Sequence, residues 1–226
     1  MTKKELRYKR MIRHFTQAVW AIADSEGMDA VTARKVADMA GYNVATLYNY
    51  FDNLNHLMFF ASFRALKDYA MALPEQTHGM DDPLLVYIKT WECFNYFAYK
   101  DPLYYKNIFL GEHTAKYNQA IQLYYDVFPE ELPSDGLQFL PMFREGDLYE
   151  RDFVLLSAAA KSGNFGLENV RDISNMNVIL FSGMLHRFLT SEGKQTPKDA
   201  AKATTRYQAR TLMAYGISKE LLKDYL

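Results

Sequence analysis

Apolar residues recur at helical spacing along almost the whole chain. From Tyr8 onward they follow the i, i+3, i+4 pattern of an amphipathic helix, at Met11, Ile12, Phe15, Ala18, Val19, Ile22 and Ala23. Gly27 is placed to end this helix as a C-cap. Alternation with a period of two is nowhere sustained. The pattern therefore predicts an all-α protein.

Capping residues divide the following segment into short helices. Thr32 is suited to be the N-cap of a second helix that runs through Ala40. The sequence Gly41-Tyr42-Asn43 breaks this helix, and we expect a third short helix from about Val44 to Phe51. A small N-terminal domain of three helices, residues 1–53, is predicted.

A larger helical bundle is predicted for residues 54–226. Asn53 can cap a long fourth helix, from Leu54 to about Leu73, which stops before Pro74. Residues 74–82 are the expected linker. Later helices are expected at about 82–99, 102–111, 113–127, 149–164, 170–191 and 197–215, with one long irregular segment at 129–147.

The second and third helices have the spacing of a helix-turn-helix. Ala37 permits close approach of the two helices, and Gly41 can adopt the positive φ that a tight interhelical turn often needs. On a helical wheel, Val44, Leu47 and Phe51 fall on one side. Small and polar side chains then point away from the core, as expected of a helix that enters the DNA major groove.

The same residues resemble the DNA-binding signature of the TetR family of transcriptional regulators. The resemblance covers about a quarter of the chain, and it rests on the sequence Thr32-x-Arg34-x-Val36-Ala37-x-x-Ala40-Gly41-x-x-x-x-Thr46-Leu47-Tyr48-x-Tyr50-Phe51, followed by Asn53 and Leu57. It implies a regulator that binds a palindromic double-stranded DNA operator as a homodimer. It also implies a C-terminal bundle that binds a small-molecule effector and forms the dimer.

The resemblance also assigns positions that face DNA. Hydroxyls expected near phosphates belong to Thr32, Thr46, Tyr48 and Tyr50, and Arg34 is expected to contact a base or a phosphate. The groove-facing positions are Val44, Ala45 and Asn49. For some of these residues a structural role is the alternative: Thr32 as a cap, Tyr50 as partly core, and Val44 as packing.

Three residues depart from the family pattern. Tyr42 replaces the usual aliphatic residue in the turn, and Asn43 replaces a frequent serine that can cap the third helix, a role that asparagine can also serve. Leu54 stands where many members have a lysine, so an expected phosphate contact is missing. Because Val44 and Ala45 are apolar, the recognition helix offers little hydrogen bonding to bases. Thymine methyl groups and DNA shape would then contribute more to specificity.

The charge distribution adds a modest electrostatic footprint. The net charge is −1, yet residues 1–13 contain six basic residues, Lys3, Lys4, Arg7, Lys9, Arg10 and Arg13, against the single acid Glu5. Such a basic arm can attract DNA phosphates, and a solvated helix face is its alternative explanation. The single cysteine, Cys93, is expected to be buried, and it fits a reducing cytoplasm. No secretory or membrane-spanning segment is predicted, so we expect a cytoplasmic protein.

Aromatic residues are concentrated at positions 87–128, where they suit either an apolar ligand pocket or ordinary core packing. The candidates for pocket lining are Trp91, Phe94, Tyr105, Phe109 and His113. Basic groups are sparse there, which favours a neutral or weakly charged apolar ligand. The segments 154–160 and 178–185 are apolar on more than one face, as helices at a dimer interface are.

Two other function classes compete with a ligand-gated repressor. A co-regulator of the same fold could answer to a protein partner instead of a small molecule. An enzyme is a remote alternative, because no nucleophile motif, phosphate loop or metal-ligand spacing is present in the sequence. No cofactor, metal or catalytic residue is predicted.

Overall fold

A computed structural model describes residues 2–131, 142–143, 145–161, 166–191, 193 and 195–226. Over these residues the chain is helical and forms no strand, which confirms the all-α prediction. The helices in the described part of the chain are α1 (Lys3–Glu26), α2 (Ala33–Ala40), α3 (Val44–Leu47), α4 (Leu54–Ser62), α5 (Ala65–Gln76), α6 (Pro83–Lys100), α7 (Pro102–Phe109), α8 (Tyr117–Val127), α9 (Leu148–Lys161), α10 (Val170–Thr190) and α11 (Pro197–Ala214).

The predicted caps organise the N-terminal helices. The side-chain oxygens of Thr32, Asn43 and Asn53 accept the backbone N–H bonds of Lys35, Thr46 and His56 respectively. Each bond satisfies a donor that has no partner within its own helix. These caps confirm the predicted starts of α2, α3 and α4.

The recognition helix α3 is shorter than predicted. It ends at Leu47 instead of continuing to Phe51. The N–H groups of Asn49 and Tyr50 donate to carbonyls three residues back, at 3.2 and 3.0 Å, which tightens the chain into turns. Aromatic residues such as Tyr48 and Tyr50 lose rotamer freedom in a helix, which disfavours its extension.

The predicted fourth helix is divided in two. It breaks at Phe63–Arg64, between α4 and α5. The Ser62 hydroxyl donates to the Met58 carbonyl four residues earlier at 2.7 Å, a bond that bends helices. Pro74 also lies inside α5, which continues to Gln76. The predicted stop before Pro74 is therefore wrong, although this proline has no N–H to donate and so removes one intrahelical bond.

The remaining helices lie close to their predicted positions. Of the expected irregular segment 129–147, residues 132–141 and 144 lie outside the described residues, and so do 162–164 of the helix expected at 149–164. Cys93 is buried, as predicted, and burial raises the pKa of its thiol to about 12. None of the helices in the described ranges is long and apolar enough to cross a membrane.

The body is built around α6. This helix packs against α5, α9 and α11, and α10 covers α9 and α11. Helix α1 packs against α2 and α4 on one side and reaches α8 on another. Helices α1 and α4 therefore join the N-terminal helices to the body.

Gly41 provides a test of the predicted turn. It has φ 78°, in the left-handed region, and an added Cβ would meet no atom within 4 Å. The only cost of Gly41→Ala is then backbone strain, and we expect a loss of about 1 kcal/mol in the free energy of unfolding, measured by urea denaturation. Gly41→Asn should lose less, since asparagine tolerates this conformation. Equal stability of the wild type and Gly41→Ala would contradict the assignment.

Candidate DNA-binding surface and ligand cavity

The helix-turn-helix is anchored on α1 by a small apolar core. Val36, Ala37 and Leu47 are fully buried, and Phe51 is nearly so. Val36, Leu47 and Phe51 pack into the same core as Phe15 and Val19 of α1. The spacing of these residues fixes which faces of α2 and α3 remain in solvent.

Two tyrosines brace this unit from outside the core. The Tyr42 ring lies 5.6 Å from that of Phe15, and its hydroxyl is 3.4 Å from Nδ1 of His14. The Tyr50 ring lies 5.5 Å from that of Tyr8. Tyr42, which replaces an aliphatic residue of the family pattern, thus packs on α1. Tyr50 is half-buried, so part of its role is structural.

Five of the predicted DNA-facing residues are exposed to solvent, and together they are called here the outer surface of the helix-turn-helix. Thr32, Arg34, Ala45, Tyr48 and Asn49 are exposed. The Arg34 side chain is 89% exposed, and its Nε lies 3.8 Å from the Asp38 carboxylate. Such an exposed pair is weak and leaves the guanidinium available to a phosphate or a base.

The two threonines predicted to face DNA differ in their hydrogen bonds. The Thr32 oxygen accepts a bond from the Lys35 N–H, which leaves its hydroxyl proton available to an acceptor. The Thr46 hydroxyl instead donates to Oδ1 of Asn43 at 2.9 Å. Thr46 and Val44 are both half-buried. A phosphate contact by Thr46 would therefore require this bond to be exchanged.

The basic arm contributes fewer cations to this surface than its sequence indicates. Lys9 pairs with Asp126 at 3.0 Å, and Arg13 pairs with Glu130 at 2.6 Å and donates to the Val127 carbonyl. These bonds hold α1 against α8. Other members of the arm remain beside the recognition helix, where a surface groove is lined by Lys3, Leu6, Arg7, Arg10, Met11, Tyr42, Thr46 and Tyr50.

A polar junction links the segment after α3 to the segment after α7. Lys116 pairs with Asp52, and the His113 ring stacks on that of His56 with 4.9 Å between the ring centroids. Nε2 of His113 lies 3.2 Å from Oδ1 of Asn53, the cap of α4. Burial lowers the pKa of His56, and the Asp52 N–H donates to its Nδ1. His113 thus lies at this junction and not with Trp91.

The body contains a narrow apolar cavity, about 30 Å³ in volume. Its lining residues are Tyr69, Thr90, Trp91, Phe94, Met142, Leu148, Arg151, Asp152 and Leu155. Of the predicted pocket residues, Trp91 and Phe94 line it. Tyr105 and Phe109 lie behind Phe94, with ring centroids 5.3 and 5.5 Å from its own.

The sequence prediction does not include Arg151 and Asp152, which lie in this cavity. Both are buried, with 4% and 3% exposure. Asp152 accepts hydrogen bonds from the Trp91 indole and the Ser174 hydroxyl, each at 2.6 Å. Burial raises the pKa of Asp152 to about 7. No motif marks either residue, and their burial depends on how α9 packs against α6.

Comparison with known proteins agrees with this description. Residues 18–59 match the family model described as bacterial regulatory proteins, tetR family. RolR in complex with resorcinol is 14% identical and superposes with a TM-score of 0.62, over 98% of this chain and 95% of its own. Thermus thermophilus FadR in complex with lauroyl-CoA is 12% identical, with a TM-score of 0.57 over 92% of this chain and 95% of its own. No curated protein sequence matches the chain significantly.

The fold and the exposed surface define a helix-turn-helix unit that is followed by a helical body. The structural likenesses show a shared fold over nearly the whole chain, and the family model matches the segment that carries the helix-turn-helix. The resemblance predicted from the sequence is thereby confirmed. The chain therefore contains a segment that matches the tetR family model, within a fold that it shares with these two proteins.

Asp152 should make the stability of the protein depend on pH. Because its pKa is about 7 when folded and 3.8 in the reference state, the folded chain binds more protons between these values. Stability should fall as pH rises through that window, by at most about 1.4 kcal/mol per pH unit, and level off above it. An asparagine side chain cannot ionise, so Asp152→Asn should lack this contribution.

Urea denaturation of both proteins at about pH 5, 6, 7 and 8 measures this effect. We expect the wild type to lose stability relative to Asp152→Asn as pH rises from about 5 to 7. A constant difference between the two proteins over this range would contradict the raised pKa.

Proposed function

We propose that the protein is a repressor that binds a palindromic operator as a homodimer and is released by a small, mostly apolar ligand bound in its C-terminal body. The observation that carries this proposal is the exposed surface of Thr32, Arg34, Tyr48 and Asn49 on a helix-turn-helix braced against α1. Hydroxyls and a guanidinium on such a surface suit phosphate oxygens and guanine edges.

Base recognition would rely on few hydrogen bonds. Asn49 is the one amide among the three groove-facing positions, and Ala45 offers a methyl group that suits a thymine. Tyr48 and Thr32 would set the position of the helix on the backbone without reading sequence. Lys3, Arg7 and Arg10 would add a salt-dependent attraction to phosphates beside Tyr50.

The outer faces of α9 and α10 supply the proposed dimer interface. These helices pack on each other, and Val154, Met176 and Ile179 remain 53%, 46% and 61% exposed. An exposed apolar patch on neighbouring helices favours self-association. Packing of the patch on its symmetry mate would form a four-helix bundle and separate two recognition helices by about one DNA turn.

Control by a small ligand is supported by the cavity and by the structural relatives. Resorcinol, bound by RolR, and lauroyl-CoA, bound by Thermus thermophilus FadR, both have apolar portions. A ligand that binds better to a state with a displaced α4 would shift the population toward that state. His113 and Lys116 of the body contact Asn53 and Asp52. A movement of the body at this junction would therefore change the distance between the two recognition helices of the dimer.

Substitutions on the proposed surface test DNA binding. Arg34→Ala and Tyr48→Ala should each weaken binding to promoter DNA of the protein's own gene, by about 1–3 kcal/mol, because each removes a contact to DNA. Fluorescence anisotropy of a labelled duplex at several salt concentrations measures this loss. Arg210→Ala, on an exposed position of α11, is the matched control and should bind like the wild type.

Two outcomes would contradict the proposal in different ways. If Arg34→Ala and Tyr48→Ala bound as tightly as the wild type, the assigned DNA surface would be wrong. If the wild type bound no DNA even at low salt, control through a protein partner would replace the ligand-gated repressor.

Introducing a charge on α10 tests the proposed dimer. Ile179→Glu should shift the protein from dimer to monomer in sedimentation equilibrium, since an unpaired buried carboxylate is costly at an interface. Met71→Glu, at a position of similar exposure on α5, is the control and should leave the dimer intact. A dimer of unchanged affinity in Ile179→Glu would place the interface elsewhere.

A further inference from the structure

Arg151 is a buried cation that has no counter-ion among the described residues. It is 4% exposed, and none of the ion pairs found in the described parts of the chain includes it. Its Nη1 also has no hydrogen-bond partner there. A buried guanidinium with an unsatisfied donor is costly unless an anion completes it.

The surroundings of Arg151 stabilise its charge only in part. Its guanidinium carbon lies 5.1 Å from the centre of the Phe109 ring and 6.0 Å from that of Phe143. Its charge also acts on the Tyr117 hydroxyl, which donates to the Phe143 carbonyl at 2.9 Å. Ring faces attract a cation, but they do not replace the oxygen acceptors that the five N–H groups of a guanidinium require.

Glu150 and Asp152 flank Arg151 in sequence, but neither forms an ion pair with it. Glu150 pairs with Arg171 at 2.7 Å. One oxygen of Asp152 accepts from the Trp91 indole and the other from the Ser174 hydroxyl. Tyr87 extends this network, since its hydroxyl accepts a bond from the Asn177 amide at 2.8 Å. The carboxyl group is therefore held toward α6 and α10, away from the guanidinium.

Arg151 and Asp152 both line the cavity, whose other walls are mainly apolar. Because the cavity is narrow, a ligand must be small and must displace flexible side chains such as Met142 and Leu155. We propose that this cavity binds a small monocarboxylic acid with an apolar body, whose carboxylate pairs with Arg151 while its body contacts Trp91 and Phe94. A carboxylate can accept two parallel N–H bonds from a guanidinium, and its single negative charge neutralises the single positive charge of Arg151.

This proposal deepens the ligand control proposed above and rests on it for its role in regulation. It has a structural alternative, in which Arg151 serves only to pack between aromatic rings. The two explanations differ in the effect of Arg151 on the stability of the unliganded protein. A residue kept for a ligand leaves the unliganded protein with the cost of an unpaired charge, so its replacement by an apolar side chain of similar length should not lower stability.

Matched acid and amide pairs test the site. The chain has two tryptophans, so Trp20→Phe leaves Trp91 as the only indole reporter. Benzoate and hexanoate are titrated against benzamide and hexanamide, with Trp91 fluorescence as the readout. We expect at least one acid to bind about tenfold or more tightly than its amide, because only the acid pairs with the cation. Absence of binding by both acids, or equal binding of acids and amides, would overturn the proposal.

Variants of Arg151 assign any preference to this residue. In Arg151→Met, the acid should bind no better than its amide, and unfolding by urea should require no less denaturant than for the wild type. Arg210→Met, at an exposed arginine that also lies over a tyrosine ring, should keep the preference. Retention of the preference in Arg151→Met would overturn the site.

Arg151→Lys keeps the test decisive if Arg151→Met does not fold. Lysine preserves the charge but not the fork, so the preference should persist with weaker affinity for the acid. Unchanged affinity in Arg151→Lys would overturn the proposed pairing.

Promoter DNA binding is measured on the same proteins without any acid. If DNA binds and no acid does, only the carboxylate site fails. If an acid binds through Arg151 and no DNA does, the proposed repressor fails and the site stands.

Discussion

The contact on which the structure depends is the aromatic packing between α4 and α8. The rings of Phe60 and Phe63 lie 5.6 Å from that of Tyr124, and Phe63 meets Tyr117 edge-on at 5.2 Å. All four rings are buried. Since buried rings at this density leave little room to slide, α4 can move only if α8 or the rings between them rearrange. The same packing restricts the position of α3, because only the turn at 48–53 separates α3 from α4.

The same rings extend to the proposed ligand site. Arg151 lies over Phe109, Phe109 stacks on Tyr117 with 5.9 Å between ring centroids, and Tyr117 contacts Phe63. Phe63 stands at the break between α4 and α5, where the helix has lost regular bonds. A ligand that changes the position of Arg151 would therefore act on a chain of direct contacts that ends at α4. A coupling of about 1–3 kcal/mol between ligand and DNA would be typical of such regulators.

Local signals in the sequence account for what could be predicted. Thr32, Asn43 and Asn53 cap helices by bonds to residues three positions away, so their spacing alone locates the starts of α2, α3 and α4. The break after Ser62 could not be predicted in this way, because a serine in a helix bends it only when its hydroxyl turns back to a carbonyl. Pro74 does not end its helix, since α5 continues to Gln76.

Long-range packing decides what could not be predicted. The concentration of aromatic residues at 87–128 predicts that Trp91 and Phe94 lie near a cavity. It does not predict the charged residues in the wall of that cavity. Arg151 and Asp152 are adjacent in sequence, and nothing local shows that α9 turns both toward α6. Likewise, the sequence predicts that Lys9 and Arg13 are free to attract DNA. In the structure they pair with Asp126 and Glu130, which lie far along the chain and could not be identified as their partners from the sequence.

Selection of bound sequences from a random pool of DNA duplexes tests the central claim most directly. We expect the purified protein to enrich a palindromic consensus whose half-sites are centred about 10 base pairs, or a multiple of that spacing, apart. Each half-site should be short and rich in thymine contacts, since the recognition helix offers few hydrogen bonds to bases. Enrichment of no sequence, or of a consensus without two-fold symmetry, would contradict a dimeric operator-binding regulator.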